Sequence, residues 1–289
     1  MEPILTIGMP VFNDIDFIEQ SILSILNQSE KRFILIISDD GATDGSAEIC
    51  LKYTNLDKRI KYIKQSKNLG ISKNMEFLVN QSNTIYFMWA ADDDLWHPNF
   101  IEKHISALEK SKNAIVSFGK YNLIDENNCA IGEINNDFSS NFKIIQLIKL
   151  IWLEDDGFGY GVFKTNKIKS VKFPIWLWPN KKTPYNNIYP SLCFYLNNGK
   201  YLHNTEILFH KRVKVGKNIN HKITGSGSGF FELLSFYLRR LNLVFYSSLQ
   251  ASKSQFFWNP LIVFPFMLFK WFFISSVKIT LQSLKSKFG

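Results

Sequence analysis

Thr84-Ile85-Tyr86-Phe87-Met88-Trp89-Ala90 runs directly into Ala91-Asp92-Asp93-Asp94-Leu95-Trp96-His97-Pro98. The first run is short, β-branched and aromatic, with polar residues at its ends, which is the pattern of a buried strand. Three adjacent carboxylates at its carboxyl end are costly to bury and repel one another. They belong at an open crevice where a cation neutralises them. The competing reading is a solvated loop, with Asp94 capping a helix that begins at His97-Pro98-Asn99.

Upstream, Ile4 to Met9 reads as a strand ended by Pro10. Val11 to Asp14 comes next as a loop, and Asp14 reads as the N-cap of a helix running to about Gln28. Ile18, Ile22, Ile25 and Leu26 recur there at helical spacing, so the helix lays one apolar face on a sheet. Arg32 to Ser38 is a continuous apolar run of the kind covered on both faces of a parallel sheet. It ends in the turn Asp39-Asp40-Gly41-Ala42-Thr43-Asp44-Gly45-Ser46, which leads into a helix containing Ala47 to Tyr53. Ile60 to Gln65 is a third strand, and Asn68 to Asn74 opens a helix to about Gln81. Downstream of the triplet, Ile101, Ile105 and Leu108 mark a further helix, and Ala114 to Gly119 a fifth strand.

Alternation at this pitch predicts an open, mostly parallel α/β sheet with right-handed crossovers, its ligand lying beyond the carboxyl ends of the strands. Four polar loops come directly after strands: Phe12-Asn13, Asp39-Asp40, Asn68 to Asn74, and Asp92 to Asp94. Each offers a different chemistry. Phe12 can stack on a base, and Asp40 can accept hydrogen bonds from an imide N–H or a ribose hydroxyl. Lys73, at a helix start, can meet a diphosphate, and Asp93 can hold a metal bridging its oxygens. Taken singly, Phe12 reads equally as core, the aspartates as turn formers and Lys73 as a surface charge. Their convergence on one edge favours a nucleotide site.

These residues resemble the nucleotide-sugar-dependent glycosyltransferases of the GT-A fold, specifically the large inverting family 2 that builds bacterial surface polysaccharides. The resemblance is carried by Met9-Pro10-Val11-Phe12-Asn13, Ser21 to Gln28, Asp39 to Ser46, Asn68-Leu69-Gly70 with Asn74, and Ala91-Asp92-Asp93-Asp94. It covers residues 4–120 closely. It implies that Pro10, Phe12 and Asp40 line the base and ribose, and that Asn13, Asn68 and Gly70 belong to the same donor loops. Asp92 and Asp93 match the family's Asp-x-Asp-type site. Asp93, with Asp94 as the alternative, would contact Mg²⁺ or Mn²⁺ beside a nucleoside diphosphate sugar. Lys73 stands where the family usually carries Arg, and a point charge lacks the bidentate fork.

In the second half, Ile144 to Leu153 reads as an amphipathic helix, and Gly157 to Lys164 resembles the family's acceptor-side strand. The family then places an acidic pair, one of which is the general base. Here the corresponding stretch is Pro184-Tyr185-Asn186-Asn187-Ile188-Tyr189-Pro190, and Asn cannot take a proton at neutral pH. Asp155 and Asp156 in Glu154-Asp155-Asp156 are the alternative bases, set against a solvated cluster that merely ends a helix. Glu206 to Val213 reads as a strand leading to His210-Lys211-Arg212. His210 is either a buried strand residue or part of the family's His-containing loop that touches the diphosphate.

The chain carries 34 Lys+Arg against 25 Asp+Glu, a net charge of +9, and the excess is concentrated in residues 230–289. That asymmetry excludes a uniformly basic nucleic-acid binder. It points to an aromatic, basic tail on an anionic membrane surface. Residues 256–277 are long enough to cross a bilayer, but Pro260, Pro265 and Lys270 favour helices lying in the interface. A single crossing and an oligomer interface are the alternatives. Cys50, Cys129 and Cys193 share no metal-ligand spacing and fit a reducing cytosol. With no basic region or cleavage site before Ile4, no signal peptide is expected.

The expectation is therefore a GT-A catalytic domain over residues 1–224, a Gly/Ser linker at 225–229 and a membrane-associated helical appendage at 230–289. Its activity would be metal-dependent inverting transfer to a lipid-linked or other glycan acceptor, on the cytoplasmic side of the inner membrane. A non-catalytic sugar-nucleotide-binding scaffold subunit is the alternative, prompted by Asn186-Asn187.

Overall fold

The computed structural model describes residues 2–153, 155–169 and 188–213, together with positions 265 and 269. Four strands, β1 (Leu5–Val11), β2 (Phe33–Asp39), β3 (Ile60–Lys64) and β4 (Tyr86–Trp89), lie parallel in the order β3-β2-β1-β4. The crossovers are helices α1 (Ile18–Leu26), α2 (Ser46–Leu56) and α3 (Ile71–Gln81). Leu35, Ile36 and Ile37 of β2 are all buried, as a strand covered on both faces requires. On α1, Ile18, Ile22 and Ile25 are buried at the predicted helical spacing.

Pro10 does not end the first strand. Ala90 donates its N–H to the Gly8 carbonyl on one side of β1, and Asp40 donates to the Val11 carbonyl on the other. Alternation therefore turns Pro10 toward the β4 side, beyond the last β4 residue, Trp89. A missing N–H costs nothing there.

The sheet continues β4-β8-β6-β9-β5, with β7 on β6. These elements are β5 (Leu95–Trp96), β6 (Ala114–Ile124), β7 (Ala130–Ile134), β8 (Val162–Lys164) and β9 (Lys200–Arg212). β8 is antiparallel to both β4 and β6, whereas β6 and β9 are parallel. Helices α4 (Phe100–Glu109), α5 (Lys143–Leu153), α6 (Thr165–Ile168) and α7 (Tyr189–Asn198) complete the described chain.

Two expectations about local structure are corrected. Leu95-Trp96 forms a short strand antiparallel to Phe209-His210, so α4 begins only at Phe100 and Asp94 does not cap it. Instead the buried Gln28 accepts the Ile101 N–H at 3.0 Å and donates to the His97 carbonyl at 2.9 Å. The cap comes from a residue 73 positions away. Likewise Asp14 does not cap α1, whose first residue is Ile18 and which has no side-chain cap.

β6 and β9 are longer than their apolar runs, because polar residues such as Asn122, Asn204 and His210 continue the pairing. Their register shifts between Gly119 and Tyr121, where the two backbones come very close. A Cβ on Gly119 would stand 2.0 Å from the Asn204 carbonyl oxygen. Backbone cannot swing aside as a side chain can. Gly119→Ala is expected to cost at least about 3 kcal/mol in a denaturant titration, beyond an ordinary surface change.

Cys50 and Cys193 are buried, Cys129 is exposed, and none of the three forms a disulfide. Among the described residues no helix is long and apolar enough to cross a membrane. Glu154, Asn186-Asn187, the linker at 225–229 and the tail (apart from the isolated positions 265 and 269) lie outside the described residues.

Candidate active site

At the carboxyl edge of β1 and β2, two aspartates build the floor. Asp39 is fully buried; its Oδ1 accepts the Gly41 and Ala42 N–H groups at 3.0 and 2.7 Å, and its Oδ2 the Tyr62 hydroxyl at 2.5 Å. It fixes its own turn. Asp40 reaches across to the third loop, accepting the Leu69 and Gly70 N–H groups at 2.6 and 2.8 Å. Gly70 has φ +76°, a left-handed conformation that side chains disfavour and that turns the chain into α3.

Between these loops lies an open cavity of about 340 Å³, lined by Pro10, Phe12, Asp40, Asn68, Gly70, Asn74 and Asp92 among others. The structure thus gathers six of the sequence-predicted donor residues in one place. Phe12 is 52% exposed, so its ring is presented rather than packed away. Asn74 is anchored by its amide N–H to the Ser38 carbonyl at 3.0 Å, while its Oδ1 is buried without a hydrogen-bond partner.

Three predicted donor residues stand elsewhere. Asn13 has φ +55° and accepts the Thr43 N–H at 2.8 Å, shaping the Asp39–Ser46 turn. Lys73 pairs with Glu76 at 2.9 Å and does not line the cavity. His210 sits opposite Leu95 on β9, where burial and then the neighbouring His97 hold its pKa below the usual imidazole range.

The triplet divides by direction. Asp92 and Asp93 join Asp14 in a cluster whose ligand oxygens lie within 4.8 Å of one another. The Asp92 carboxyl accepts the Phe12 N–H at 3.3 Å, and its pKa is pushed up to about 7 by burial, then by the charges of Asp93 and Asp14. An all-oxygen set of this spacing fits a hard cation such as Mg²⁺ or Mn²⁺. Asp14 is the member that sequence reasoning missed, because an Asp before a helical pattern reads first as a cap.

Asp94, the alternative ligand, turns inward and stands outside this cluster. It is 2% exposed and accepts the Arg212 backbone N–H at 2.7 Å. Burial, and then the Asp93 charge, raise its pKa well above the usual range. The Arg212 guanidinium binds the Asp93 carbonyl at 2.8 Å, the Asp125 carbonyl at 2.7 Å and Asn128 Oδ1 at 2.7 Å, and lies 4.2 Å from the Phe17 ring centre. The acidic loop is therefore clamped from behind by the end of β9.

On the acceptor side the two candidate bases differ. Asp155 accepts the Tyr121 hydroxyl, the Asn136 amide and the Gly157 N–H at 2.7, 3.0 and 2.8 Å, a structural role. Asp156 is 31% exposed and pairs with Lys211 at 3.1 Å. Burial alone would lower the Lys211 pKa, but Asp156, then Tyr160, Tyr121 and Asp94, outweigh it and hold the ammonium charged. Lys211 links the acceptor side to the acidic loop. Strand alternation places it on the face opposite His210, a distinction the segment His210-Lys211-Arg212 does not reveal until its neighbours are known.

Comparison with known proteins agrees with this geometry. Among solved structures, S. aureus TarS 1–349 in complex with UDP-GlcNAc superposes with a TM-score of 0.68 at 14% identity, covering 93% of this chain and 72% of that one. The mannosyltransferase PcManGT of Pyrobaculum calidifontis, in complex with GDP-Man and Mn²⁺, gives a TM-score of 0.58 at 11% identity, covering 93% and 70%. At such identities the likeness shows a shared GT-A fold. The putative teichuronic acid biosynthesis glycosyltransferase TuaG of Bacillus subtilis is 28% identical over 123 residues, 43% of this chain and 48% of TuaG. The matches to the first curated relatives span 21 to 40% of their length. The model of glycosyl transferase family 2 matches residues 6–169, more than half of the sequence and every loop of the cavity, and the chain belongs to that family.

Proposed function

We propose that the chain transfers a sugar from a nucleoside diphosphate sugar to an acceptor hydroxyl, with inversion at the anomeric carbon, in surface-polysaccharide synthesis. The acceptor is a lipid-linked glycan, met at the cytoplasmic leaflet where the basic, aromatic residues 230–289 hold the chain. The observation that carries the transfer is the continuity of the 340 Å³ cavity with the Asp14-Asp92-Asp93 cluster through their common residue, Asp92. A base and ribose fit between Phe12 and Asp40, which leaves the diphosphate at the carboxylates. Those carboxylates would repel it, so the cluster holds Mg²⁺ or Mn²⁺, which supplies positive charge as the diphosphate leaves. The donor nucleotides and Mn²⁺ named for the two solved neighbours support this reading.

Inverting transfer needs a proton acceptor on the acceptor side. Asp156, partly exposed and not consumed by backbone contacts, is placed to take the proton of the attacking hydroxyl, with Lys211 fixing its rotamer. Asp156→Asn is expected to lower kcat about 10²–10⁴-fold with little change in donor KM. Asp155→Asn should instead show first as lost stability, since its NH₂ replaces the oxygen that accepts the Asn136 amide while the remaining oxygen still serves Tyr121 and Gly157.

A thermal-shift panel of UDP-, GDP-, dTDP- and CMP-sugars, with and without Mn²⁺, tests the donor site. A ligand that binds only the folded chain raises its stability by mass action. A Mn²⁺-dependent shift confined to one nucleotide class supports the reading, and no shift with any donor refutes it.

A further inference from the structure

At the opposite edge of the sheet from the donor cavity, the structure holds a second cavity of about 470 Å³. It opens where β6 and β9 begin, beside the first turn of α5. Among the described residues four lysines, Lys112, Lys143, Lys167 and Lys200, line it together with Ser140, Asn141 and Asn198, and no carboxylate does. A concave lining this rich in lysine favours an anionic group.

The neighbouring surface is apolar. Phe142, Ile145, Trp152 and Leu153 are 66, 40, 55 and 40% exposed. At 100° per residue they fall within an arc of about 100°, facing away from the buried Leu147, Leu150 and Ile151. The helix therefore has two apolar faces, one in the core and one outside. Only Lys149 falls within the outer arc, and its long stem lets the ammonium leave the apolar plane. Large aromatics on a surface stripe with a lysine-lined cavity at one end are the composition of an interfacial membrane contact.

The direction of α5 adds to this. Its first turn stands at the lysine cavity, and its last residues lead to Asp155 and Asp156 at the acceptor side, about 16 Å along the helix axis. A leaflet lying along the outer face of α5 would touch the cavity at one end and the acceptor crevice at the other.

We infer that the catalytic domain itself docks on an anionic lipid leaflet through α5. Phe142, Ile145, Trp152 and Leu153 enter the headgroup boundary, and a lipid phosphate is bound in the Lys112-Lys143-Lys167-Lys200 cavity. This deepens the membrane reading above by adding a contact outside residues 230–289. It aligns the domain so that a lipid-linked acceptor meets Asp156 from the membrane side.

The test uses the full chain with Cys129→Ser, carrying a polarity-sensitive fluorophore at Phe142→Cys or, as a control, at Leu56→Cys on α2, near the other end of the sheet. It is mixed with vesicles of phosphatidylglycerol and phosphatidylcholine, or of phosphatidylcholine alone, and binding is followed in parallel by flotation. The expected result is a blue shift at position 142 and none at 56, seen only with phosphatidylglycerol. Replacing all four cavity lysines by Ser should weaken partitioning at least tenfold, since each lysine near such a surface is worth about fivefold. Flotation without a shift at 142 overturns this inference and leaves membrane binding to the tail. Neither flotation nor shift overturns the membrane reading as well. An equal shift with phosphatidylcholine alone, or one that appears without lipid as concentration rises, overturns it in favour of a purely apolar contact or a second copy of the chain.

Discussion

Asp93→Ala is expected to lower turnover by at least about 10³-fold and to remove the Mn²⁺-dependent stabilisation by the donor nucleotide proposed above. The cluster has three members, and each supplies an oxygen within 4.8 Å of the others. Losing one would leave a divalent cation with two carboxylates and lower its affinity. The fold should survive, because Asp93 and its neighbours repel one another in the absence of a cation. Removing one charge relieves Asp92, which the Asp93 charge helps to hold protonated. The variant should therefore keep the wild-type melting temperature without ligand, or exceed it. The measurement is a pair of thermal-shift titrations with turnover assayed alongside. Retained Mn²⁺-dependent donor stabilisation in Asp93→Ala would place the cation elsewhere.

Arg212→Met carries the second large effect, and it acts on both stability and function. Arg212 is 5% exposed, and its guanidinium satisfies two backbone carbonyls and the Asn128 amide oxygen from two separate loops, the acidic loop and the β6–β7 turn. Methionine matches the aliphatic stem but loses three hydrogen bonds from a charged donor, each worth about 1.5–3 kcal/mol, of which the exposed Asn128 and the Asp125 carbonyl, which keeps the Asn128 N–H, recover part. A loss of about 3–5 kcal/mol in a denaturant titration is expected. Because the Asp93 carbonyl is one of the partners, the acidic loop loses its rear support, and donor KM should rise even where the variant is folded. Arg212→Lys keeps the charge but not the fork, so it should recover part of the stability and little of the donor affinity. Equal recovery of both would reduce the role of Arg212 to packing.

The donor half is legible in the sequence because its determinants are local. A buried parallel strand must be a short apolar run, and the segment leaving it must be a polar loop at the sheet's carboxyl edge. Pro10, Phe12, Asp40, Asn68, Gly70 and Asp92 can therefore be assigned to one cavity before any contact is known, and the structure gathers all six. Errors arise where the same residue type serves two purposes. Asp14 reads as a cap and Asp94 as a cap or a ligand; only the tertiary arrangement turns Asp14 toward Asp92 and Asp94 toward the Arg212 N–H. The α4 start is misplaced for the same reason, since its cap is Gln28, remote in sequence.

What the sequence determined by itself was the order of strands and helices, the edge at which the loops converge, and the family those loops belong to. These depend on hydrophobic period and turn chemistry, which act over a few residues. What only the tertiary structure decided was which of adjacent charged residues faces the crevice: Lys211 rather than His210, Asp156 rather than Asp155, Asp93 rather than Asp94. In a strand or tight turn neighbouring side chains point to opposite sides, so register decides the matter. Register at the end of β9 is set by pairing with β5 and β6, residues more than 80 positions away along the chain.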